Sequence, residues 1–346
     1  MRASLILLFL IIHNFSLVYS ENSSSDSLEN KEKDFIILPF GFYTSDTRVA
    51  LGLFSQYKFN EKNKIFGNVI YTFKNQMMLF LITDINSGNK VIYNKLKIEN
   101  YYSESYGVGT GSETEDKYDY RYILVDNLTE AGKFIRKNTS LNIVSDNFYY
   151  SPKDSKDILA IAYSPEKDQY ANGIGTAVKY SNVSDKFFRD GSFSRLSFIY
   201  YPEFLGDLKE FSVLSSESGY YRSFNQSALN LNFLTRFAFG SPHPQKLSYL
   251  GGSEILRGYP EKRFIDRNMW AFQSQYDFRL YKKTALCAFV SAGSVFEGSD
   301  ELSVKNIKVG YGAGLMYEFQ GLAFRIEAAT SVEKEIQIIA TSARAF

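Results

Sequence analysis

The feature that most constrains this chain is a two-residue alternation of apolar and polar side chains, kept up over strand-length segments. Trp270, Phe272, Ser274, Tyr276, Phe278 and Leu280 alternate with Ala271, Gln273, Gln275, Asp277 and Arg279. An extended strand puts the first set on one face and the second on the other. Ile307, Val309, Tyr311, Ala313, Leu315, Tyr317 and Phe319 repeat the pattern against Lys308, Gly310, Gly312, Gly314, Met316 and Glu318. So do Leu229, Leu231, Phe233, Thr235, Phe237 and Phe239 against Asn230, Asn232 and Arg236, and Leu322, Phe324, Ile326 and Ala328 against Arg325 and Glu327. Charges on the second face are costly against lipid, so each strand reads as a wall between lipid and a wet interior.

A water-soluble sandwich also alternates, with its apolar face in a core. Three observations argue against it. Most of the segments run 9 to 13 residues, where sandwich strands average about 5 to 6. Phe and Tyr number 30 and 26 against one Trp, as interfacial aromatic girdles require. Residues 1–20 read as a secretory signal peptide: Arg2, an apolar run from Leu5 to Ile12, then Val18-Tyr19-Ser20 before the cleavage point. The polar stretch 21–34 reads as a disordered leader, and 35–346 as one barrel.

Beyond the signal, no stretch approaches the roughly 18 apolar residues of a spanning helix. A net charge of +1 offers nothing to neutralise phosphates, which excludes nucleic acid as a partner class. A single cysteine, Cys287, cannot make an internal disulfide, so burial and hydrogen bonding must hold the fold.

Eleven alternating segments precede residue 241, near 47–58, 63–73, 76–84, 90–101, 119–134, 139–150, 156–165, 173–182, 192–203, 208–221 and 228–240. Five follow, near 265–281, 284–294, 306–319, 321–331 and 335–346. The reading is therefore an all-β, transmembrane antiparallel barrel of sixteen strands, an even number as such barrels require. Boundaries read this way err by several residues, which leaves twelve or fourteen open. The short connections at 60–63, 320–321 and 331–334 are expected on the periplasmic side. Those near 102–118, 183–191, 241–264 and 295–305 are expected to face outward or fold inward.

Catalytic patterns are scarce, and the chain is not read as an enzyme. Of two histidines, His13 lies in the signal, so a Ser/His mechanism would rest on His243 in Ser241-Pro242-His243-Pro244. No His/Cys/Asp cluster has metal spacing, and no cofactor is implied. Gly107-Val108-Gly109-Thr110-Gly111 lacks the Lys-Ser/Thr ending of a phosphate loop. The stretch from Leu250 to Tyr259, LGGSEILRGY, is the informative one. A surface loop with a solvated Arg257 is the plain reading. Leu250, Ile255, Leu256 and Tyr259 suit water poorly, however, so loop 241–264 is expected inside the lumen with Arg257 buried and paired.

Leu250, Gly251, Gly252, Leu256, Arg257, Gly258 and Tyr259 resemble the GG…RGY/F signature of the outer-membrane protein assembly and two-partner secretion superfamily, the bacterial surface antigen family of the BamA, TamA and FhaC type. Flanking stretches are similar too. Asp277-Phe278-Arg279 resembles its E-x-R strand, Phe289, Ser291 and Gly293 its F-x-D-x-G, Gly312-Ala313-Gly314-Leu315 its GaGl strand, and Phe346 its C-terminal insertion signal. Upstream, Leu38-Pro39, Tyr43, Gly52, Gln76 and Tyr106-Gly107-Val108-Gly109 resemble the opening of short members. The resemblance spans residues 35 to 346 and is specific over about the last hundred.

It implies a bacterial outer-membrane location among lipid, and a role in protein or lipid insertion, translocation or membrane remodelling. The implied route is a weak seam between the first and last strands. It also implies a separate periplasmic protein as partner, and leaves a homodimer open. Two departures stand out. The family holds its loop arginine against an acid of the F-x-D strand, where this chain has Ser291; Asp277 is the expected substitute, with Glu318 or Glu327 behind it. The 14 residues from Glu21 to Asp34 are too few for a periplasmic POTRA module, so a POTRA-less barrel is expected. A passive or gated diffusion pore is the alternative function, since about sixteen strands leave an aqueous lumen unless a loop fills it.

Overall fold

The structure, a computed structural model, describes residues 34–44, 48–60, 63–112, 118–154, 167–184, 187–298, 303–319, 322–334 and 336–341. The signal segment, the leader and Phe346 lie outside them. The strands are β1 (Asp34–Thr44), β2 (Arg48–Asn60), β3 (Asn63–Thr72), β4 (Met77–Ser87), β5 (Lys90–Ser105), β6 (Tyr118–Arg136), β7 (Thr139–Asp154), β8 (Gln169–Ser181), β9 (Gly191–Tyr201), β10 (Phe211–Ser223), β11 (Ser227–Gly240), β12 (Ser248–Leu250), β13 (Phe264–Asp266), β14 (Asn268–Tyr281), β15 (Thr284–Phe296), β16 (Lys308–Phe319), β17 (Leu322–Ser331) and β18 (Ile336–Thr341). All but β12 and β13 form one antiparallel sheet of sixteen strands, each paired with its neighbours in chain order. β12 and β13 pair with each other inside the long connection.

Sixteen strands agree with the sequence reading, but the sixteen differ by one exchange. Residues 34–44, which contain Pro39 and Gly41 and alternate poorly, form the first strand against β2. The expected strand at 156–165 lies outside the described residues. No strand separates β7 from β8, because Thr139–Tyr150 pair directly with Tyr180–Gln169.

Alternation sets the two faces as expected. Phe233, Phe272, Tyr276, Phe278, Tyr311, Leu315 and Ile326 are exposed on the outside, while Gln273, Gln275, Asp277, Asn230, Arg325 and Glu327 are buried on the inside. A belt of this kind is stable only against lipid. The interior also has an apolar part. Tyr120, Tyr122, Leu124, Phe148, Tyr150, Tyr201, Phe211 and Val213 form an apolar cluster on the inner faces of β6, β7, β9 and β10.

Chain direction sorts the connections. β1 starts and β18 ends at one rim, which also carries the short turns 61–62, 88–89, 137–138, 224–226, 282–283 and 320–321. The opposite rim carries the long ones, including 106–117, 202–210, 241–267 and 297–307. Short turns mark the periplasmic side of such barrels. Two expectations change on this count: the four-residue turn 332–335 sits at the long-loop rim, and the nine-residue connection 182–190 sits at the short-turn rim. Length alone misplaced both, whereas strand parity assigns them.

β1 and β18 approach each other within 8 Å at the Cα level, yet no ladder joins them among the described residues. Among the described residues β18 is the shortest strand of the sheet, at 6 residues.

Candidate functional site

The connection from β11 to β14 folds into the lumen as a strap, and the sequence dictates how. Gly251 (φ 115°) and Gly258 (φ 106°) sit in the left-handed region, which side chains other than glycine adopt at a cost. A Cβ on Gly251 would overlap the Pro260 carbonyl, and one on Gly258 the Thr330 carbonyl of β17. Between them Gly251 N–H donates to Ile255 O and Gly252 N–H to Tyr259 O, both at 3.1 Å, closing a compact knot. Leu250, Leu256, Tyr259 and Phe264 pack under it with Met269, Ala271 and Val295 of the wall. The apolar residues that were a poor fit for water thus form a small core of their own.

Arg257 is fully buried. Its Nη1 donates to Glu327 Oε1 at 2.8 Å and its Nη2 to Gln275 Oε1 at 3.0 Å, while the guanidinium lies 3.4 Å above the Phe289 ring. Glu327 Oε1 also accepts from Arg325 Nη1 at 2.8 Å and from the Cys287 thiol at 3.7 Å. Gln275 donates in turn to Asp277 Oδ1 at 2.8 Å, and Asn230 donates to Asp277 Oδ2 at 2.6 Å. Two cations and two carboxylates therefore share one buried network, which is how interior charge is tolerated. Burial pulls the Arg257 pKa down from its usual value, with Glu327 opposing that pull.

The anion paired with Arg257 is thus Glu327, two strands from Ser291, and the expected Asp277 is joined to the arginine through Gln275. Glu318 is four residues beyond Gly314, the cross-strand partner of Glu327, or roughly 13 Å further along the wall at about 3.3 Å per residue. Ser291 is buried 1% exposed with no hydrogen-bond partner for its hydroxyl among the described residues.

The inner face of β16 explains its glycines. A Cβ at Gly310 would overlap the Arg257 carbonyl; at Gly312 it would lie 2.6 Å from the Phe289 ring, and at Gly314 2.7 Å from Glu327 Cγ. The strap and its ion pair cross β16 where side chains are missing. Gly293 plays a similar part on β15, where a Cβ would lie 3.1 Å from Leu250. Arg279 stands apart, near the short-turn rim, beside Phe187 and Phe188.

Sequence reasoning missed the strap's other two anchors. Lys246 is 4% exposed and donates to Asp126 Oδ1 at 2.9 Å on β6 and Asp146 Oδ2 at 3.0 Å on β7; Tyr201 donates to the same Asp146. Burial opposes the Lys246 charge, but Asp146 and Asp126 outweigh it and hold its pKa well above the usual range. Arg263 reaches Glu333 in turn 332–335 at 3.2 Å and Ser112 O at 2.8 Å. Gly109 N–H donates to Ile265 O at 2.8 Å, so the Gly107–Gly109 stretch clamps the strap from above. The available signal was two acidic residues at inward positions of β6 and β7, Asp126 and Asp146, beside the apolar Tyr122, Leu124, Phe148 and Tyr150.

His243 packs between Phe148 and Tyr150, with ring centroids 4.8 and 4.7 Å away. Its Nδ1 accepts from Gln245 N–H at 3.1 Å, and its Nε2 has no hydrogen-bond partner among the described residues. A base aimed at a serine hydroxyl would show the opposite arrangement.

A sixteen-stranded barrel with a lumenal strap can be compared with known proteins. No family model matches the chain, and no curated protein does. Among solved structures, BamA from Haemophilus ducreyi lacking POTRA domains 1–3 superposes with a TM-score of 0.61 over 89% of this chain and 69% of that one, at 12% identity. The fold is that of the BamA and CdiB barrels. CdiB from Acinetobacter baumannii matches over 90% of this chain at a TM-score of 0.59 and 12% identity, and CdiB from Escherichia coli over 92% at 0.61 and 10%. The chain spans 59% and 62% of those two structures. In this BamA-type frame the strap is a connection of the barrel itself.

Proposed function

We propose that this chain works in the outer membrane of a diderm bacterium as a barrel of the assembly and two-partner secretion superfamily. On this reading it inserts or translocates protein, or moves lipid, by opening between β1 and β18. Outer-membrane lipid surrounds it and a separate periplasmic protein delivers its substrate, to a single barrel or to a homodimer. The observation that carries the reading is the seam: two neighbouring edge strands without a ladder among the described residues. An unpaired edge is a template for an incoming strand, and lipid offers it no alternative partner.

Cysteine pairs scanned along β1 and β18 in a Cys287→Ser background test this. The readout is the rate at which an unfolded outer-membrane protein inserts into liposomes that contain the barrel. Crosslinking is expected to stop that insertion, and reduction to restore it. Unchanged insertion with the seam locked would refute lateral opening.

A diffusion pore is the second reading, favoured by Lys95, which is exposed although it shares the inner face of β5 with Tyr93 and Lys97. Planar-bilayer conductance separates the two. The strap predicts little current from the intact protein, and large steady conductance would favour the pore.

A further inference from the structure

Among the described strands, six turns at the short-turn rim span two or three residues, and the connection 182–190 is the exception. Its neck is braced. Ser184 N–H donates to Asp190 O at 2.8 Å, Asp190 N–H donates to Ser184 Oγ at 3.0 Å, and Asp190 Oδ2 accepts from both the backbone N–H and the hydroxyl of Ser223 on β10 at 3.0 Å. Such a loop has no need to enter the barrel, since it could lie in water with its polar residues outward.

Its two aromatic residues do enter. Phe188 is 5% exposed and packs with Ala228 of β11, Ala285 of β15, Met316 of β16 and Ala323 of β17, with Phe187 against the same cluster. The two rings lie 4.9 Å apart. The Arg279 guanidinium sits 4.8 Å from Phe188 and 5.3 Å from Phe187, a cation over aromatic faces. These contacts are not with the loop's own strands β8 and β9 but with strands two to six places beyond β9 in the sheet, so Phe187 and Phe188 reach across the mouth. Ala228, Ala285 and Ala323 are each the second residue of their strands. Small side chains are thus gathered at one rim, where they leave room for two rings.

Above this floor the wall turns polar. Glu130 and Arg195 pair at 2.6 Å, Lys179 lies 4.7 Å over the Tyr93 ring, and Lys95 is exposed on that inner face.

We propose that the lumen is a water-holding vestibule shut separately at its two mouths, and that the Phe187–Phe188 loop is the inner latch, seated by Arg279 and released toward the short-turn side while the strap stays in place. The latch controls entry to the lumen from that side, independently of whether the seam opens.

The experiment is the rate at which a bulky, water-soluble maleimide modifies Lys95→Cys in folded, detergent-purified barrel carrying Cys287→Ser. With both mouths shut the rate is expected to be slow, and Phe187→Ser together with Phe188→Ser should raise it on the order of tenfold, as loss of a local closed state does. Fast labelling with both phenylalanines in place, or equal slow labelling with and without them, overturns the proposal. Heat-modifiable migration on gels reports that each variant is folded. A second measurement covers a serine variant that does not fold: Phe188→Cys with Ala285→Cys, again with Cys287→Ser, should be bridged by a short bifunctional thiol reagent. Absence of that bridge in folded protein also overturns the proposal. Seam crosslinking, which tests the function proposed above, should leave the labelling rates unchanged.

Discussion

Glu327→Gln is the most informative substitution this barrel offers. The side chain keeps its shape and loses its charge, which leaves Arg257 and Arg325, both buried, without the carboxylate that each touches at 2.8 Å. Removing one partner of a buried ion pair costs about 3 to 5 kcal/mol, because the remaining charge cannot return to water. Two buried cations that share one carboxylate oxygen push toward the upper figure, while the Phe289 face under Arg257 and the nearby Asp277 push back. A loss of about 4 kcal/mol is a large share of the roughly 5 to 15 kcal/mol that holds a folded protein together. Asp277→Asn is the internal comparison. Its carboxylate accepts from two neutral amides, so about 1 to 3 kcal/mol is expected.

Urea titration in lipid or detergent serves as the assay. The single tryptophan, Trp270, lies on the outer face of β14 and leaves the apolar medium when the sheet comes apart. Arg257→Met should recover part of the Glu327→Gln loss, since neighbours in one network couple by about 0.5 to 3 kcal/mol. Equal losses for Glu327→Gln and Asp277→Asn, or a loss under about 1 kcal/mol for Glu327→Gln, would mean that Arg257 is not held by Glu327.

Three further outcomes follow from the same geometry. Gly310→Val should unseat the strap, because even a Cβ there meets the Arg257 carbonyl; protease cleavage near residue 257 in folded protein reports it. Lys246→Met should expose Asp126 and Asp146 to each other without their shared cation, and a stability loss that grows as pH rises through the carboxylate range distinguishes this from simple loss of packing. His243 is held neutral, burial pulling its pKa down to about 3 with Lys246 and Lys262 adding to it. The unfolded histidine binds a proton near pH 6.5, so its contribution is complete above that pH and lost as pH falls toward 3. At pH 5 this amounts to about 2 kcal/mol, and His243→Gln should remove that part of the acid sensitivity.

Much of the wall was legible in the sequence because a period of two is a local property. Trp270 to Leu280 declares its own faces whatever its neighbours do. β1 escaped because Pro39 and Gly41 blur the alternation, and pairing with β2 supplied what pattern could not. The strap's location could be read from Leu250, Leu256 and Tyr259, which are apolar where a wet loop would be polar. The partner of Arg257 could not. Whether Asp277, Glu318 or Glu327 meets a given arginine depends on how far each sits along the wall, and barrel register is a sum of turn lengths and bulges. Lys246 was hidden for the same reason, its partners lying 120 and 100 residues away in the chain. The Phe187–Phe188 loop was misjudged by length, which says nothing about the rim it occupies.

The strap's anchors fall unevenly on the circumference. Lys246 is tied to β6 and β7, Arg257 to β17, and Arg263 to the turn between β17 and β18. A hoop braced by one spoke bends differently from a bare hoop. The spoke ends one strand short of the seam, so it stiffens the β17 jamb and holds β18 against it through turn 332–335. On the function proposed above, an opening between β1 and β18 would swing on the leaf that begins with β1.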